Sequence, residues 1–295
     1  ENMKSTPPRF SIVTINLNNR AGLEKTVQSV IKQECADYEY IIIDGGSSDG
    51  SAEIIKKYQN SLSYWVSERD TGIYNAMNKG LKQAHGEYVC FLNSGDCFYS
   101  PQVLADMHRE GTVSDVLCGR VITVGGPSGK ASPPWKNNTL YFIIKNFCHQ
   151  AAFMRTRLCH KHQFDETYKI CADRKMLLSL LFQESATFKP INAFIAYFDA
   201  TGISHTAATT MLEEDARSLK ETLPAAILDD YRLLLASPIA PYYMDMLVNF
   251  KTPRKNTAFF LARISRVAAK YLLLLSSLCS ARKNIEPEYM EHLAR

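Results

Sequence analysis

Two aspartates in the first hundred residues follow short apolar runs and could bind a nucleotide or a metal ion. Asp44 ends the run 40–43, and Asp96 closes the sequence NSGD after the run 87–92. A carboxylate at the position of Asp44 can accept hydrogen bonds from a base N–H or from ribose hydroxyls. A carboxylate at the position of Asp96 can hold Mg²⁺ or Mn²⁺ against a diphosphate, because these hard cations take oxygen ligands. Taken alone, both aspartates also fit ordinary turns, where aspartate is common.

Two common nucleotide-binding motifs are absent from the sequence. No GxGxxG pattern follows the first apolar run, where residues 16–20 are NLNNR, and no GxxxxGK[ST] pattern occurs anywhere. The first pattern lets the backbone approach a dinucleotide pyrophosphate, and the second cradles nucleotide phosphates. The sequence therefore argues against a dinucleotide-dependent dehydrogenase and against a P-loop NTPase. The lack of a basic, glycine-rich loop also weighs against a nucleotidyltransferase, which remains an alternative.

Apolar runs of the strand type alternate with segments of helical periodicity up to residue 92. Strand patterns cover 10–17, 40–43, 62–66 and 87–92, and helical patterns cover 23–31, 54–58 and 73–84. This alternation is typical of a parallel sheet that is covered by helices on both faces. Ligands of such sheets bind beyond the carboxyl ends of the strands. The polar loops that follow the four strands should therefore meet in one crevice.

The pattern is weaker beyond residue 101. It predicts strands at 116–124 and 193–198, a loop at 125–134, a helix at 174–182 and no clear element at 141–153. From residue 211 onward the pattern is helical, with interruptions near Pro238 and Pro241. We therefore predict an N-terminal tail at 1–8, an α/β domain at 9–208 and a helical C-terminal region at 209–295.

The composition is that of a globular protein, with 46% hydrophobic and 22% charged residues. The 34 basic and 30 acidic residues give a net charge of +4, which is too small to indicate a nucleic-acid-binding surface. The eight cysteines form no CxxC pair, and several lie in strand-like apolar runs. This usage favours reduced thiols over disulfides. Because no positively charged leader precedes an apolar run, we expect a cytoplasmic protein.

The last apolar stretch, 258–278, has about the 20 residues that a membrane-spanning helix needs. It contains Arg263, Arg266 and Lys270, and a charge near the bilayer centre costs at least ~2.5 kcal/mol. A spanning helix is therefore disfavoured. Two interpretations stay open. The helix lies in the membrane interface with its basic residues toward anionic headgroups, or it packs on the domain or on a second copy in a homodimer.

Five ordered sequence blocks resemble those of family-2 glycosyltransferases, particularly the branch that builds bacterial surface polysaccharides. The blocks are VTINLNN at 13–19, IIIDGGSSDGS at 41–51, ERDTGIYNAMNKG at 68–80, AHGEY at 84–88 and LNSGD at 92–96. Farther on, HQAAF at 149–153, FDE at 164–166 and AD at 172–173 are similar to the family's acceptor-side motifs. The resemblance implies an α/β fold of the GT-A type, in which helices flank a Rossmann-like, mixed but mainly parallel sheet, with a helical C-terminal extension. It divides the domain into a nucleotide-sugar-binding half at 9–100 and an acceptor half at 101–208.

The resemblance implies an inverting enzyme that uses a nucleoside-diphosphate sugar, in the first instance a UDP-sugar, together with Mg²⁺ or Mn²⁺. In such a displacement a carboxylate deprotonates the acceptor hydroxyl while the metal stabilises the departing nucleotide. Asp173 would be this base, and Asp96 would bind the metal. The donor-binding residues would be Asn16, Asn18, Asp44, Gly46, Ser47, Asp70, Asn75, Asn78 and Lys79. The acceptor-binding residues would be His149, Gln150 and Arg174.

Several of these polar residues have alternative roles. Asp173 precedes a helical run and could be an N-cap, as could Asp49 farther upstream. A lone histidine such as His149 is often a hydrogen-bonded structural residue. His205, by contrast, could reach the diphosphate or the metal from a late loop.

The sequence also departs from the family pattern, and the departures bear on function. Asn93 and Gly95 stand where many relatives have aspartates, so we expect a low metal affinity in the absence of donor. No QxxRW segment follows Asp173, which argues against a processive synthase and favours transfer of a single sugar. The basic C-terminal segment suggests a lipid-linked glycan acceptor at the inner face of the cell membrane. The main alternative is a noncatalytic protein that binds a nucleotide or a glycan as an assembly partner.

Overall fold

The structure, a computed structural model, describes residues 7–111, 114–125, 131–132, 139–144, 148–202 and 208–236. The strands are β1 Phe10–Asn16, β2 Tyr38–Asp44, β3 Tyr64–Ser67, β4 Tyr88–Phe91, β5 Cys97–Phe98, β6 Val116–Val124, β7 Ala152–Arg155 and β8 Phe188–Asp199. The helices are α1 Arg20–Ile31, α2 Ser51–Tyr58, α3 Ile73–Lys82, α4 Val103–Arg109, α5 Thr139–Ile144, α6 Thr156–His162, α7 Ala172–Phe182, α8 Ala208–Thr222 and α9 Ala225–Ala236. Short 3₁₀ helices lie at Gln59–Ser61 and His149–Ala151. The strand and helix predictions up to residue 92 are thus confirmed, with ends that differ by a few residues.

All eight strands belong to one sheet in the order β3-β2-β1-β4-β7-β6-β8-β5. The first four strands in the chain run parallel to one another. β7 is antiparallel to both β4 and β6, β8 is parallel to β6, and β5 is antiparallel to β8. The sheet is therefore mixed and mainly parallel, as predicted, and β7 joins its two parallel parts.

Side chains that alternate along the central strands supply a core on each face of the sheet, as the two-residue period of a strand requires. On β1, Val13 packs in the same cluster as Met77 of α3. Its neighbour Ile12 packs in the opposite cluster, with Leu23 of α1. Because these side chains are fully buried, the two helices are held firmly against the strands whose loops carry the polar residues.

The start of the helical C-terminal region packs on the α/β domain. Leu178 of α7 lies in one buried cluster with Ala216 and Leu219 of α8 and with Leu228 of α9. None of the helices within the described ranges combines the length and the apolar character that a membrane-spanning helix needs. The segment 258–278, for which we predicted a membrane-interface or packed helix, lies outside the described residues, as does His205. The domain boundaries and the homodimer remain predictions.

The seven cysteines within the described residues are free thiols, which agrees with the expectation of reduced cysteines. Cys90, Cys118 and Cys159 are fully buried. Burial raises the pKa of each of these thiols, so they remain protonated. They behave as small apolar core residues.

Gly80 allows α3 to approach β1 closely. A Cβ atom at this position would lie 2.4 Å from Cγ1 of the fully buried Val13. We expect Gly80→Ala to lower the free energy of unfolding by about 1–2 kcal/mol, since overpacking a core outweighs the helix propensity gained. Urea denaturation measures this change. Gly202→Ala, where no described atom lies within 4 Å of the added Cβ, should be neutral, and an equal loss in both variants would contradict the packing argument.

Candidate active site

The ends of three parallel strands place Asn16, Asp44 and Ser67 in one row. The strand register pairs Asn16 of β1 with Asp44 of β2, and Asp44 with Ser67 of β3. The Asp44 carboxylate is fully buried and accepts hydrogen bonds from Nδ2 of Asn16 at 2.7 Å, from Oγ of Ser67 at 2.6 Å, and from Oγ and N of Ser47 at 2.6 and 3.0 Å. Burial alone would raise the pKa of Asp44, but the bonds from Ser47, Ser67 and Asn16 outweigh it and hold the pKa below its ordinary value. Asp44 is therefore ionised at neutral pH.

The loop after β1 is tied to the loop after β2. The backbone N–H of Asn18 donates to Oγ of Ser47 at 2.7 Å, and Oδ1 of Asn18 accepts from the backbone N–H of Ser48 at 2.9 Å. Asn18 has a φ of 49°, in the left-handed region that asparagine tolerates better than most residues. Gly46 has a φ of 80°, and a Cβ atom there would lie 3.2 Å from the backbone N of Arg69. The predicted donor-binding residues of these loops therefore lie side by side on one surface. We call this surface, formed by Asn16, Asn18, Asp44, Gly46 and Ser47, the Asp44 ledge.

Asp70 lies over the same ledge. A Cβ atom on Gly45 would be 2.4 Å from Oδ2 of Asp70 and 3.3 Å from Cδ1 of Leu17. The other carboxylate oxygen of Asp70 accepts from the backbone N–H of Gly72 at 3.1 Å. Leu17 is 57% exposed, so the ledge combines a carboxylate with an open apolar side chain. The sequence pattern did not single out Leu17 or Ser67 as site residues.

Three other predicted donor-binding residues have partners within the protein. Nδ2 of Asn75 donates to Glu166 at 3.0 Å, and Nδ2 of Asn78 donates to the same carboxylate at 2.9 Å and to the backbone oxygen of Phe164 at 2.8 Å. The Lys79 ammonium pairs with Glu68 at 2.7 Å. These bonds hold the segment 164–166 and the loop after β3 against α3. A direct contact of the three side chains with the donor stays a prediction.

Asp96 lies beyond β4 and contacts Asp199, the last residue of β8. It is 4% exposed, and its Oδ1 accepts the backbone N–H of Asp199 at 2.8 Å. Burial raises the pKa of Asp96 to about 6, although the bond from Asp199 and the nearby His149 act in the opposite direction. The Asp199 carboxylate lies close over Gly95, since its Oδ2 would be 3.1 Å from a Cβ placed there. Local pattern did not reveal Asp199, because its partner is about a hundred residues away.

The donor set suits a metal ion that is shared with a substrate. Among the residues described, no group of three or more His, Cys, Asp or Glu side chains could hold a metal by itself. Asp96 and the neighbouring Asp199 supply carboxylate oxygens, which Mg²⁺ and Mn²⁺ accept, and Mg²⁺ commonly keeps waters and substrate phosphates as its other ligands. The residues therefore fit a metal that binds mainly together with a diphosphate.

Asp173 forms a hydrogen-bonded chain with His149 and Tyr74. Its Oδ2 is 3.0 Å from Nδ1 of His149, and its Oδ1 accepts from the hydroxyl of Tyr74 at 3.3 Å. Nε2 of His149 is 3.2 Å from Nδ2 of Asn93. With a proton on Nδ1, the imidazole donates to Asp173, and its Nε2 accepts from Asn93. Burial and the nearby Asp173 raise the pKa of Tyr74 well above its ordinary value, so its hydroxyl stays a donor.

The alternative role of Asp173 as an N-cap is wrong. Helix α7 begins at Ala172, and its N-cap residue is Cys171, which makes no side-chain cap bond. Asp173 therefore lies inside the first turn, where the helix dipole favours a negative charge. Asp49 is not the N-cap residue of α2 either, because that residue is Gly50, but Asp49 does accept bonds from N and Oγ of Ser51.

The remaining predicted acceptor residues are both buried. Gln150 is 4% exposed, and its side chain lies close enough to Asp96 to lower the pKa of that carboxyl. Arg174 is also 4% exposed, pairs with Asp215 of α8 and donates to the backbone oxygen of Ile143 at 2.5 Å. Gln150 thus supports the predicted metal residue, and Arg174 connects α7 with α5 and α8. Contact of either residue with an acceptor stays a prediction.

The mixed, mainly parallel sheet flanked by helices, with Asp44 at the end of β2 and Asp96 beyond β4, has the architecture of GT-A glycosyltransferases. The chain belongs to glycosyl transferase family 2, whose family model matches residues 11–167. The match covers the Asp44 ledge, Asp96 and His149. Asp173, Asp199 and all of α8 lie beyond it.

Similar proteins occur in mycobacteria. An uncharacterized glycosyltransferase of Mycobacterium tuberculosis is 32% identical over 207 residues, which is 68% of this chain and 78% of the relative. A PGL/p-HBAD biosynthesis glycosyltransferase of Mycobacterium bovis is 30% identical over the same length, 68% of this chain and 80% of that one. These relatives extend the similarity past the residues that the family model matches.

Solved structures show the same fold. Residues 1–349 of TarS from S. aureus, in complex with UDP-GlcNAc, align with a TM-score of 0.58 and 20% identity over 74% of this chain and 68% of that one. The mannosyltransferase PcManGT from Pyrobaculum calidifontis, in complex with GDP-Man and Mn²⁺, aligns with a TM-score of 0.58 and 14% identity over 98% and 87% of the two chains. At this level of identity the likeness concerns the fold.

Proposed function

We propose that this protein is an inverting glycosyltransferase that moves one sugar from a nucleoside-diphosphate sugar to a glycan acceptor. The observation that carries the proposal is the hydrogen-bonded chain from Asn93 through His149 to Asp173, which brings the base near the loop that carries Asp96. His149 contacts both Asn93, three residues before Asp96, and Asp173 itself. A metal-binding carboxylate and a base on the same crevice are what a direct displacement at an anomeric carbon needs.

The donor nucleotide binds on the ledge around Asp44. Ionised Asp44 orients Asn16, Ser47 and Ser67 through the bonds described above, and these side chains face the base and the ribose. Oδ1 of Asn16 is buried and has no hydrogen-bond partner among the described residues. A buried acceptor of this kind is suited to a base N–H, because leaving it unpaired has a free-energy cost. We take a UDP-sugar as the first candidate and a GDP-sugar as the second, in line with the bound donors of TarS and PcManGT.

The diphosphate lies toward Asp96. Asp96 with Asp199 would hold Mg²⁺ or Mn²⁺, and the metal would neutralise the charge that develops on the departing nucleoside diphosphate. Gln150 and the backbone of Asp199 keep the Asp96 carboxylate in place. Oδ1 of Asn93 is a second buried acceptor without a described partner, and it points to a donor group or water at this end of the crevice.

Asp173 receives the proton of the attacking acceptor hydroxyl. Its two oxygens are oriented by His149 and Tyr74, so the carboxylate has a defined direction before substrate arrives. One carboxylate is enough, because an inverting transfer proceeds by a single displacement. His149 holds Asp173 and lies on the acceptor side, with Gln150 next to it.

The acceptor is a lipid-linked glycan, and the protein acts at the inner face of the cell membrane as a peripheral protein. The basic segment around 258–278 supports this proposal, as does the similarity to a relative named for PGL/p-HBAD biosynthesis. The catalytic domain extends over 9–208, and the region 209–295 carries the membrane contact or a homodimer contact. Sugar transfer takes place once per encounter, since the sequence lacks the QxxRW segment of processive synthases.

Titration calorimetry with UDP and with GDP, each with and without Mn²⁺, tests the donor side of this proposal. Binding of one nucleotide that depends on the metal selects the sugar nucleotides for a transfer assay. Release of the nucleoside diphosphate in that assay supports the transferase, whereas release of pyrophosphate identifies a nucleotidyltransferase. Absence of binding and of turnover with every donor would favour the noncatalytic assembly partner.

Asp96→Ala tests how much the metal contributes to nucleotide binding. In the unaltered protein we expect Mn²⁺ to tighten nucleotide binding about tenfold, which corresponds to about 1.4 kcal/mol. The variant should bind the nucleotide equally with and without the metal, because the predicted metal carboxylate is gone. Asp230→Ala, at an exposed position of α9, is the matched control. The same metal dependence in Asp96→Ala as in the unaltered protein would remove Asp96 from the metal site.

A further inference from the structure

Glu214 of α8 binds the segment that leads into the first turn of α7. Its Oε1 accepts the backbone N–H of Lys169 at 2.7 Å, and its Oε2 accepts those of Ile170 at 2.8 Å and Cys171 at 3.0 Å. Glu214 is 8% exposed. One nearly buried carboxylate thus satisfies three consecutive backbone donors, and charge-assisted bonds of this kind are among the stronger hydrogen bonds in proteins.

The segment held by Glu214 is directly connected to Asp173. Cys171, the N-cap residue of α7, offers no side-chain cap bond, so Glu214 supplies a negative charge at this helix end from another helix. The backbone oxygen of Ile170 accepts the hydroxyl of Tyr74, and this hydroxyl also lies 3.3 Å from Oδ1 of Asp173. A shift of the segment would therefore move both the backbone of Asp173 and one of its two hydrogen-bond partners.

The next residue of α8 holds the other side of Asp173. Asp215 forms an ion pair with Arg174, and both side chains are largely buried, with exposed fractions of 15% and 5%. Two adjacent acidic residues of one helix therefore bind the chain just before and just after Asp173. The helix also shares a buried apolar cluster with α7 through Ala216 and Leu219, which keeps both carboxylates at a constant distance from α7.

We propose that Glu214 is a positioning residue for Asp173, and that α8, at the start of the C-terminal region, therefore supports catalysis by the domain on which it packs. This inference rests on the proposed role of Asp173 as the base. It assigns a function to a helix outside the residues that the family model matches. Glu214 does not touch the substrates, and it acts by keeping the Asp173 carboxylate directed at the acceptor hydroxyl.

Glu214→Gln and the milder Glu214→Asp test the role of the carboxylate in the whole 295-residue chain. We expect kcat to fall about 10- to 100-fold in Glu214→Gln, because small displacements of a catalytic group are costly, and to fall less in Glu214→Asp. The nucleotide Kd should change less than about twofold, since the Asp44 ledge shares no partner with Glu214. Glu213→Gln, at the exposed neighbouring position, is the control and should keep the original kcat.

A double-mutant cycle with Asp173→Asn distinguishes positioning from a general effect on the fold. If Glu214 acts through Asp173, Glu214→Gln should change the residual rate less than about twofold once Asp173 is asparagine. The inference would be overturned if the kcat losses of the two single variants multiplied in the double variant. It would also be overturned if Glu214→Gln weakened nucleotide binding in parallel, or if it left kcat unchanged. If Asp173→Asn lowers kcat and Glu214→Gln does not, only this inference fails. If Asp173→Asn leaves kcat unchanged, the proposed function of Asp173 fails first.

Discussion

Asp173→Asn is expected to lower kcat by about 10²–10⁴-fold, the range that a positioned general base contributes. Asparagine has nearly the shape of aspartate, and its single carbonyl oxygen can still accept a hydrogen bond from one of the two partners, His149 or Tyr74. It cannot take up a proton at neutral pH, so the acceptor hydroxyl must attack without its base. A transfer assay at saturating donor and acceptor measures this loss directly.

Nucleotide binding should survive the same substitution. The described partners of the Asp173 side chain are His149 and Tyr74, and neither residue contacts the Asp44 ledge. We therefore expect the Kd for the nucleotide to stay within about twofold, which marks a loss confined to the chemical step. Asp230→Asn, at an exposed site on α9, controls for the chemical change. Undiminished turnover in Asp173→Asn would exclude Asp173 as the base.

Asp44→Ala is expected to weaken nucleotide binding about 100-fold, equivalent to about 2.7 kcal/mol. The substitution removes the acceptor of four hydrogen bonds and leaves the donors of Asn16, Ser47 and Ser67 without their partner. Each buried group left unpaired costs about 1–3 kcal/mol, so the folded protein should lose stability as well. Titration calorimetry and urea denaturation measure the two effects. Asp230→Ala, which removes an exposed carboxylate, should leave both unchanged.

The stability effect of Asp44 should depend on pH in a defined direction. Hydrogen bonding holds the folded-state pKa of Asp44 below the ordinary value of 3.8. Ionised Asp44 therefore stabilises the folded state above about pH 3.8, and this contribution is lost as the pH falls through the lowered pKa. In Asp44→Asn, the deficit in unfolding free energy should be full at pH 7 and should shrink below about pH 3.8. A deficit that stays constant into acid would show that the charge of Asp44 has no part in it.

The amino-acid sequence by itself determined the first half of the sheet and the position of two carboxylates. Strand and helix periodicity is a local property, and the apolar runs before Asp44 and Asp96 are long enough to define their strands. The carboxyl ends of parallel strands meet at one edge, so the placement of Asp44 and Asp96 at the same edge could also be predicted. The motif blocks gave the correct family for the same reason, because they fall in these loops.

The second half of the site was decided by the tertiary structure. No periodicity at 141–153 predicted that β7 would insert antiparallel between β4 and β6, yet this insertion brings His149 beside Asn93. The contacts of Asp96 with Asp199 and of Glu214 with the segment 169–171 join residues about 100 and 40 positions apart. Such pairs leave no local signal, since each side chain taken alone is an ordinary polar residue in a turn or on a helix. Only the packing of β8 beside β5 gives Asp96 its partner Asp199, and only the packing of α8 on α7 brings Glu214 to the segment before Asp173.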